Sequence, residues 1–141
     1  MNNEYKIKRI IVGKLPYGED LLRSMTEVCR EKNVRIGTIQ LIGAVKEAAV
    51  GFYDQQKKEY IPLNFYEPLE IVSSFGNVSI KDDDIFVHLH VTLSKGKGNA
   101  IGGHLLSPTK VFACEYSILE LEGKELIRKY DETTGLYLWD I

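Results

Sequence analysis

From Ile36 to Ile141 the sequence reads as one β-run after another, and the shortness of most gaps between them constrains the fold more than any other feature. Residues 36–53, 59–63, 69–80, 85–93, 111–121, 125–130 and 136–139 are rich in β-branched, leucine and aromatic side chains. Parallel neighbours need crossover segments of a dozen residues or more, usually helical, so runs joined by short turns must pair mostly antiparallel. Two tight reversals are legible, Lys81-Asp82-Asp83-Asp84 and Glu122-Gly123-Lys124, each between two runs. Residues 36–53 suit one long bent strand or two strands joined near Gly43.

The first third differs in pattern. Residues 5–13 begin with alternation and end as an apolar run closed by Gly13, which predicts a strand that becomes more buried along its length. Pro16-Tyr17-Gly18 makes a turn, and Glu19-Asp20 stand where acidic groups favour a helix N-terminus. Leu21, Leu22, Met25, Val28 and Cys29 then repeat at helical spacing to about Lys32, with Asn33 suited to a left-handed exit. One main helix packed on a mostly antiparallel sheet makes an α+β fold. The 141 residues, 44% of them hydrophobic, suit a single domain spanning 1–141 that buries roughly two thirds of its unfolded surface. No repeat, low-complexity tract or interdomain linker interrupts it.

Charge limits the partners. The net charge of −2 has the wrong sign for a protein held on nucleic-acid phosphates, although residues 1–46 are +4 and the remainder −6. Direct DNA binding is therefore disfavoured. No apolar run is long enough to span a bilayer, and the start lacks a signal-peptide core, so the expectation is a cytoplasmic protein without a membrane partner. Cys29 on the apolar helix face and Cys114 in a strand-like run read as two buried, reduced thiols.

All three histidines lie in one stretch, from Asp84 to Leu106. In a strand, side chains at i and i+2 share a face, so His88 and His90 stand roughly 7 Å apart while Val87, Leu89 and Val91 face the core. If the chain folds back around Ser94–Asn99, opposed residues have numbers of constant sum. A sum of 194 sets His104 against His90, and 192 sets it against His88; a sum of 193 would turn it to the wrong face. Gly102-Gly103 could hold a bulge or admit a close approach to an ion. Three imidazoles with an open fourth position suit zinc best, other late first-row divalent ions next. The plainer alternative puts His88 and His90 on the polar face of a half-exposed strand, with His104 capping a loop.

Glu70 and Glu115 are the candidate acid/base partners. A carboxylate inside an apolar strand run must orient an imidazole, bind an ion, face solvent or pair with a cation, and the sequence leaves these open. Asp82-Asp83-Asp84 reads as a turn before it reads as a second ion site.

Several of these segments occur in one order: Gly18-Glu19-Asp20-Leu21, Ile42-Gly43-Ala44-Val45, Glu70-Ile71-Val72-Ser73 with Gly76-Asn77, His88-Leu89-His90-Val91 and Gly102-Gly103-His104-Leu105. As a series, over residues 5 to 130, they resemble the plants-and-prokaryotes-conserved (PPC) domain of stand-alone prokaryotic type. The resemblance implies an α+β homotrimer and a metal, usually zinc, on His88, His90 and His104. It also brings the description of predicted DNA-binding protein, from plant members that carry AT-hooks. This sequence has no Arg-Gly-Arg-Pro hook, and Glu67-Pro68-Leu69-Glu70-Ile71-Val72 stands where plant members have Gly-Arg-Phe-Glu-Ile-Leu. Three functions follow as expectations: a metal-holding, self-associating module, regulatory or otherwise, whose ion is structural or binds a small ligand; a metal-dependent enzyme acting on a small molecule; and a nucleic-acid-binding regulator.

Overall fold

Alternation in the sequence becomes a sheet in the structure, a computed structural model that describes residues 3–141. The elements run β1 (Lys6–Leu15), α1 (Leu21–Glu31), β2 (Gly37–Asp54), β3 (Glu59–Phe65), β4 (Leu69–Lys81), β5 (Asp84–Ser94), β6 (Ala100–Glu122), β7 (Arg128–Asp131) and β8 (Leu136–Trp139). All strand pairings are antiparallel, in the order β1-β6-β5-β4-β2-β3, with β7 and β8 forming a separate ribbon. The α+β expectation holds.

Closure is the feature that alternation did not announce. β6 pairs with β5 through Ala100–His104 and with β2 through His104–Glu120, so β2, β4, β5 and β6 complete a ring. A strand of 23 residues makes this feasible because it can serve two neighbours in succession. The sequence predicted that strand only from Val111; its first half carries Gly102-Gly103 and Ser107-Pro108, residue pairs that interrupt a strand pattern. The run read at 36–53 forms one continuous strand, Gly37–Asp54, whose pairing with β4 shifts between Leu41 and Gly43 and whose pairing with β6 shifts between Ala44 and Ala49. Gly43 has φ +141°, and a Cβ there would lie 2.0 Å from the carbonyl oxygen of Ala113.

The two reversals fare differently. Asp82 and Asp83 both have positive φ, 51° and 64°, giving the two-residue turn that joins β4 to β5. Glu122-Gly123-Lys124 ends β6 without making a hairpin. The chain instead crosses to β4, where Ile127 bridges Ile80, and β7 pairs with β8.

Asp20 caps α1 by accepting from the Arg23 amide at 3.0 Å, and its carboxylate also accepts from the Thr109 amide at 2.7 Å, fastening the helix start to β6. Leu21, Met25 and Cys29 are fully buried, against a core that includes Ile39, Leu89, Leu105 and Ile118. Each such leucine, isoleucine or methionine contributes about 1.5–3 kcal/mol by leaving water. Asn33 takes the left-handed exit at φ 52°. Both cysteines are free and buried, and burial pushes each thiol up to about 12. No helix among the described residues is long and apolar enough to cross a membrane.

Candidate metal centre

Period-two alternation along β5 buries Val87, Leu89 and Val91 and turns His88 and His90 to the other face. The fold-back through a short 3-10 turn at Gly96–Gly98 sets His104 opposite His90, the register whose numbers sum to 194. The ring centroids lie 5.0, 4.8 and 5.4 Å apart, and one donor nitrogen from each ring falls within 4.8 Å of the others. Nε2 of His88 is 3.1 Å from Nε2 of His90. Two nitrogens on one tetrahedral ion sit roughly 3.3 Å apart, so this pair is already spaced for it. The widest separation in the trio exceeds that, and an ion would draw the third ring in.

Glycines permit this geometry. The strands carry no bulge between His90 and Ala100; a Cβ on Gly102 would lie 2.3 Å from the Val91 carbonyl oxygen, and one on Gly103 would lie 2.8 Å from that of Gly51. The Gly-Gly pair thus serves close strand approach rather than a bulge. Gly76, across β4, lets its strand pass the His88 carbonyl, which a Cβ would meet at 1.9 Å. Gly51 faces His104, and a Cβ there would press on Tyr60, whose ring stacks on His104 with centroids 4.6 Å apart.

Electrostatics keep two of the rings neutral. Burial, then the positive charges of His104, Arg128 and His90, holds His88 down at about 4; burial, then His90 and Arg128, does the same for His104. Neutral imidazole is the form that ligates. Nδ1 of His104 is buried without a hydrogen-bond partner. Three imidazole donors, two of them neutral and one of those two, His104, carrying an orphaned nitrogen, fit a late first-row divalent ion.

Beside the trio opens a cavity of about 240 Å³, bounded by His88, His104, Tyr60, Phe86, Arg128 and Tyr137 among others. Arg128 places Nη2 3.5 Å from Nδ1 of His88 and hydrogen-bonds Asn77 Oδ1 at 2.8 Å. The sequence reading did not single out Tyr60 or Arg128. A signal existed for Arg128: it lies two residues after the buried Leu126, so it faces inward, and the reasoning applied to carboxylates in apolar runs applies equally to a cation.

Glu70 and Glu115, the carboxylates expected as acid/base partners, are not brought to the histidines. Both are exposed, Glu70 on β4 opposite Ser94 and Glu115 on β6 between Lys14 and Ile42. Of the four options open to them, solvent is the one realised. The buried carboxylate is Glu120, 3% exposed, bonded to Lys8 Nζ at 2.9 Å and to Arg9. Asp84 ends the β4–β5 turn and pairs with Arg30 at 2.6 Å.

A model of the Plants and Prokaryotes Conserved (PCC) domain matches residues 2–122. Among solved structures, a metal-containing protein from Archaeoglobus fulgidus superposes with a TM-score of 0.94 at 46% identity, covering 99% of each chain. A plant- and prokaryote-conserved (PPC) protein from Pyrococcus horikoshii gives 0.94 at 33% identity, covering all of this chain and 97% of the other. A candidate DNA-binding protein from Bacteroides thetaiotaomicron gives 0.87 at 28% identity, covering 98% of each. Among proteins of curated function none matches the chain.

Proposed function

The chain belongs to the Plants and Prokaryotes Conserved (PCC) domain family, and from that premise we propose that it is a homotrimeric, metal-holding module of the cytoplasm. Its ion, zinc by preference, sits on His88, His90 and His104. The observation that carries this reading is the convergence of three imidazole donors within 4.8 Å of one another, two of them held neutral by burial. A relative of 46% identity is described as metal-containing. Self-association is supported by apolar side chains left in water: Ile10, Val12 and Ile42 are each more than half exposed, and Val12 and Ile42 line one shallow groove across β6. Elemental analysis and light scattering on protein purified without chelators test both parts. About one zinc per chain at trimer mass supports the proposal; a metal-free chain at pH 7 in added zinc defeats the first part, and a monomer defeats the second.

A second reading, a metal-dependent enzyme, is favoured by the cavity beside the histidines. Three protein nitrogens leave one coordination position, and a bound zinc supplies there a polarising centre that lowers the pKa of water towards 7. Tyr60 would hold the His104 ring in place, and Arg128 would stand ready for a negatively charged group. DNA binding has less support. Lys8, Arg9, Arg23, Arg30 and Arg35, five of the nine cations in the basic first third, are each paired with a carboxylate, which reduces the charge free for phosphates. A mobility shift at low salt that fades steeply as salt rises would reinstate it.

A further inference from the structure

Arg128 is a buried cation without a counter-charge. It is 9% exposed, and its partners are all neutral: Nε donates to Ser79 Oγ at 2.7 Å, Nη1 to the Tyr137 carbonyl at 2.8 Å and Nη2 to Asn77 Oδ1 at 2.8 Å. The rings of Phe86 and Trp139 lie 5.0 and 5.9 Å from the guanidinium carbon. A guanidinium has five N–H groups; three serve these acceptors and Nη2 also lies 3.5 Å from Nδ1 of His88, so at least one remains to be used. Lys81 borders the same cavity with its ammonium 3.8 Å from the Tyr137 ring centroid and 5.5 Å from that of Phe86. Among the described residues neither cation pairs with a carboxylate. The one acid at the cavity, Glu59, is exposed.

Buried charge without compensation is costly, and the cost persists in a fold only where something incoming offsets it. A divalent ion on the three imidazoles would add to the positive potential. The remaining wall is aromatic, from Tyr53, Tyr60, Phe86 and Tyr137.

We propose that this cavity binds a small organic oxyanion, a carboxylate or phosphate on a flat apolar body. The oxyanion lies between Arg128, Lys81 and the open position of the ion, and the body lies against the aromatic wall. The inference rests on the metal reading for one of the oxyanion's three contacts; Arg128 and Lys81 supply the other two without it.

Trp139, the chain's one tryptophan, packs on Arg128 and reports binding directly. Metal-free and zinc-loaded protein are titrated with benzoate, phenyl phosphate, inorganic phosphate and neutral benzamide, following tryptophan emission and, in parallel, zinc content. Benzoate or phenyl phosphate should give a saturable change, tighter with zinc, and benzamide none. Lys81→Met should weaken the anions about fivefold and Arg128→Gln about tenfold or more; if Arg128→Gln does not fold, Lys81→Met, at a partly exposed site, carries the test. Equal binding of benzamide and benzoate, or parental affinity in Lys81→Met, overturns the proposal. Inorganic phosphate binding as well as phenyl phosphate overturns the flat body. Protein that holds zinc and ignores both organic anions refutes this inference alone; protein that binds benzoate but takes up no zinc refutes the metal reading alone.

Discussion

Glu120 and Arg128 are both nearly shut off from water, at 3% and 9% exposure, yet their surroundings are opposite in kind. Burial alone would raise the Glu120 carboxyl, but hydrogen bonds from Lys8 and Arg9 outweigh it and hold the group below the usual carboxylate range. The result is a clasp between the edge strand β1 and β6. Arg128 instead has its pKa pushed down by burial, with only the Tyr60 phenol acting the other way. A buried charge that meets its opposite within the chain is part of the architecture. One that meets only neutral acceptors keeps its field directed into the cavity it borders, beside the three histidines. The two sites should therefore separate under mutation: changes near Glu120 affect stability, and changes around the histidines affect what the protein holds.

The sharpest test of that separation is His90→Ala. His90 is exposed, so the variant should fold and melt like the metal-free parent while losing its metal completely; metal content unchanged by elemental analysis would break the assignment. Acidification should have the next largest effect on metal-free protein. Unfolded histidines bind a proton near 6.5, whereas His88 and His104 in the fold do so only near 4. Across that window the unfolded chain holds more protons, so stability falls as pH drops, by on the order of 3 kcal/mol after allowing for solvent screening. Glu120 contributes a separate loss below about 4.5, where its carboxyl begins to protonate in the unfolded chain. Urea melts at several pH values would show two phases of loss, and a flat profile between 6.5 and 4 would contradict the burial of the two rings.

Gly102→Ala should cost about 2 kcal/mol, because its Cβ meets a backbone oxygen that cannot swing aside, and should weaken metal retention by shifting β6 away from β5. Parental metal affinity in that variant would show that the glycine is not needed to bring His104 to His90. Glu120→Gln, the mildest change, keeps the shape and loses the charge-assisted bonds. It should lower stability by about 1.5 kcal/mol and leave metal content alone; a variant that lost metal would merge the two regions this comparison keeps apart.

Local periodicity carried most of the secondary structure into view. The helix was readable because Leu21, Met25 and Cys29 repeat at four-residue spacing, and all three are fully buried. β8 and the Asp82-Asp83 turn needed no tertiary information. The half of β6 from Ala100 to Lys110 was foreseen only as the returning arm at His104, because Gly102-Gly103 and Ser107-Pro108 interrupt the apolar pattern of a strand. Those glycines are demanded by strands that pass within van der Waals distance of them, which no window of sequence records.

That His88 and His90 share a face, and that a reversal near Lys97 could bring His104 to them, follows from the two-residue period of a strand and needs nothing beyond the order of residues. Which register the hairpin took was a choice between sums, resolved at 194 by the pairing of β5 with β6. The stacking of Tyr60 on His104, the place of Arg128 beside His88 and the burial of Glu120 rather than Glu70 or Glu115 come from long-range packing. Each of those depends on which strand edge meets which once β2 closes on β6 and the β7–β8 ribbon swings over β4. Such pairings join residues far apart in the chain through the twist and closure of the whole sheet, and a local pattern holds no record of them.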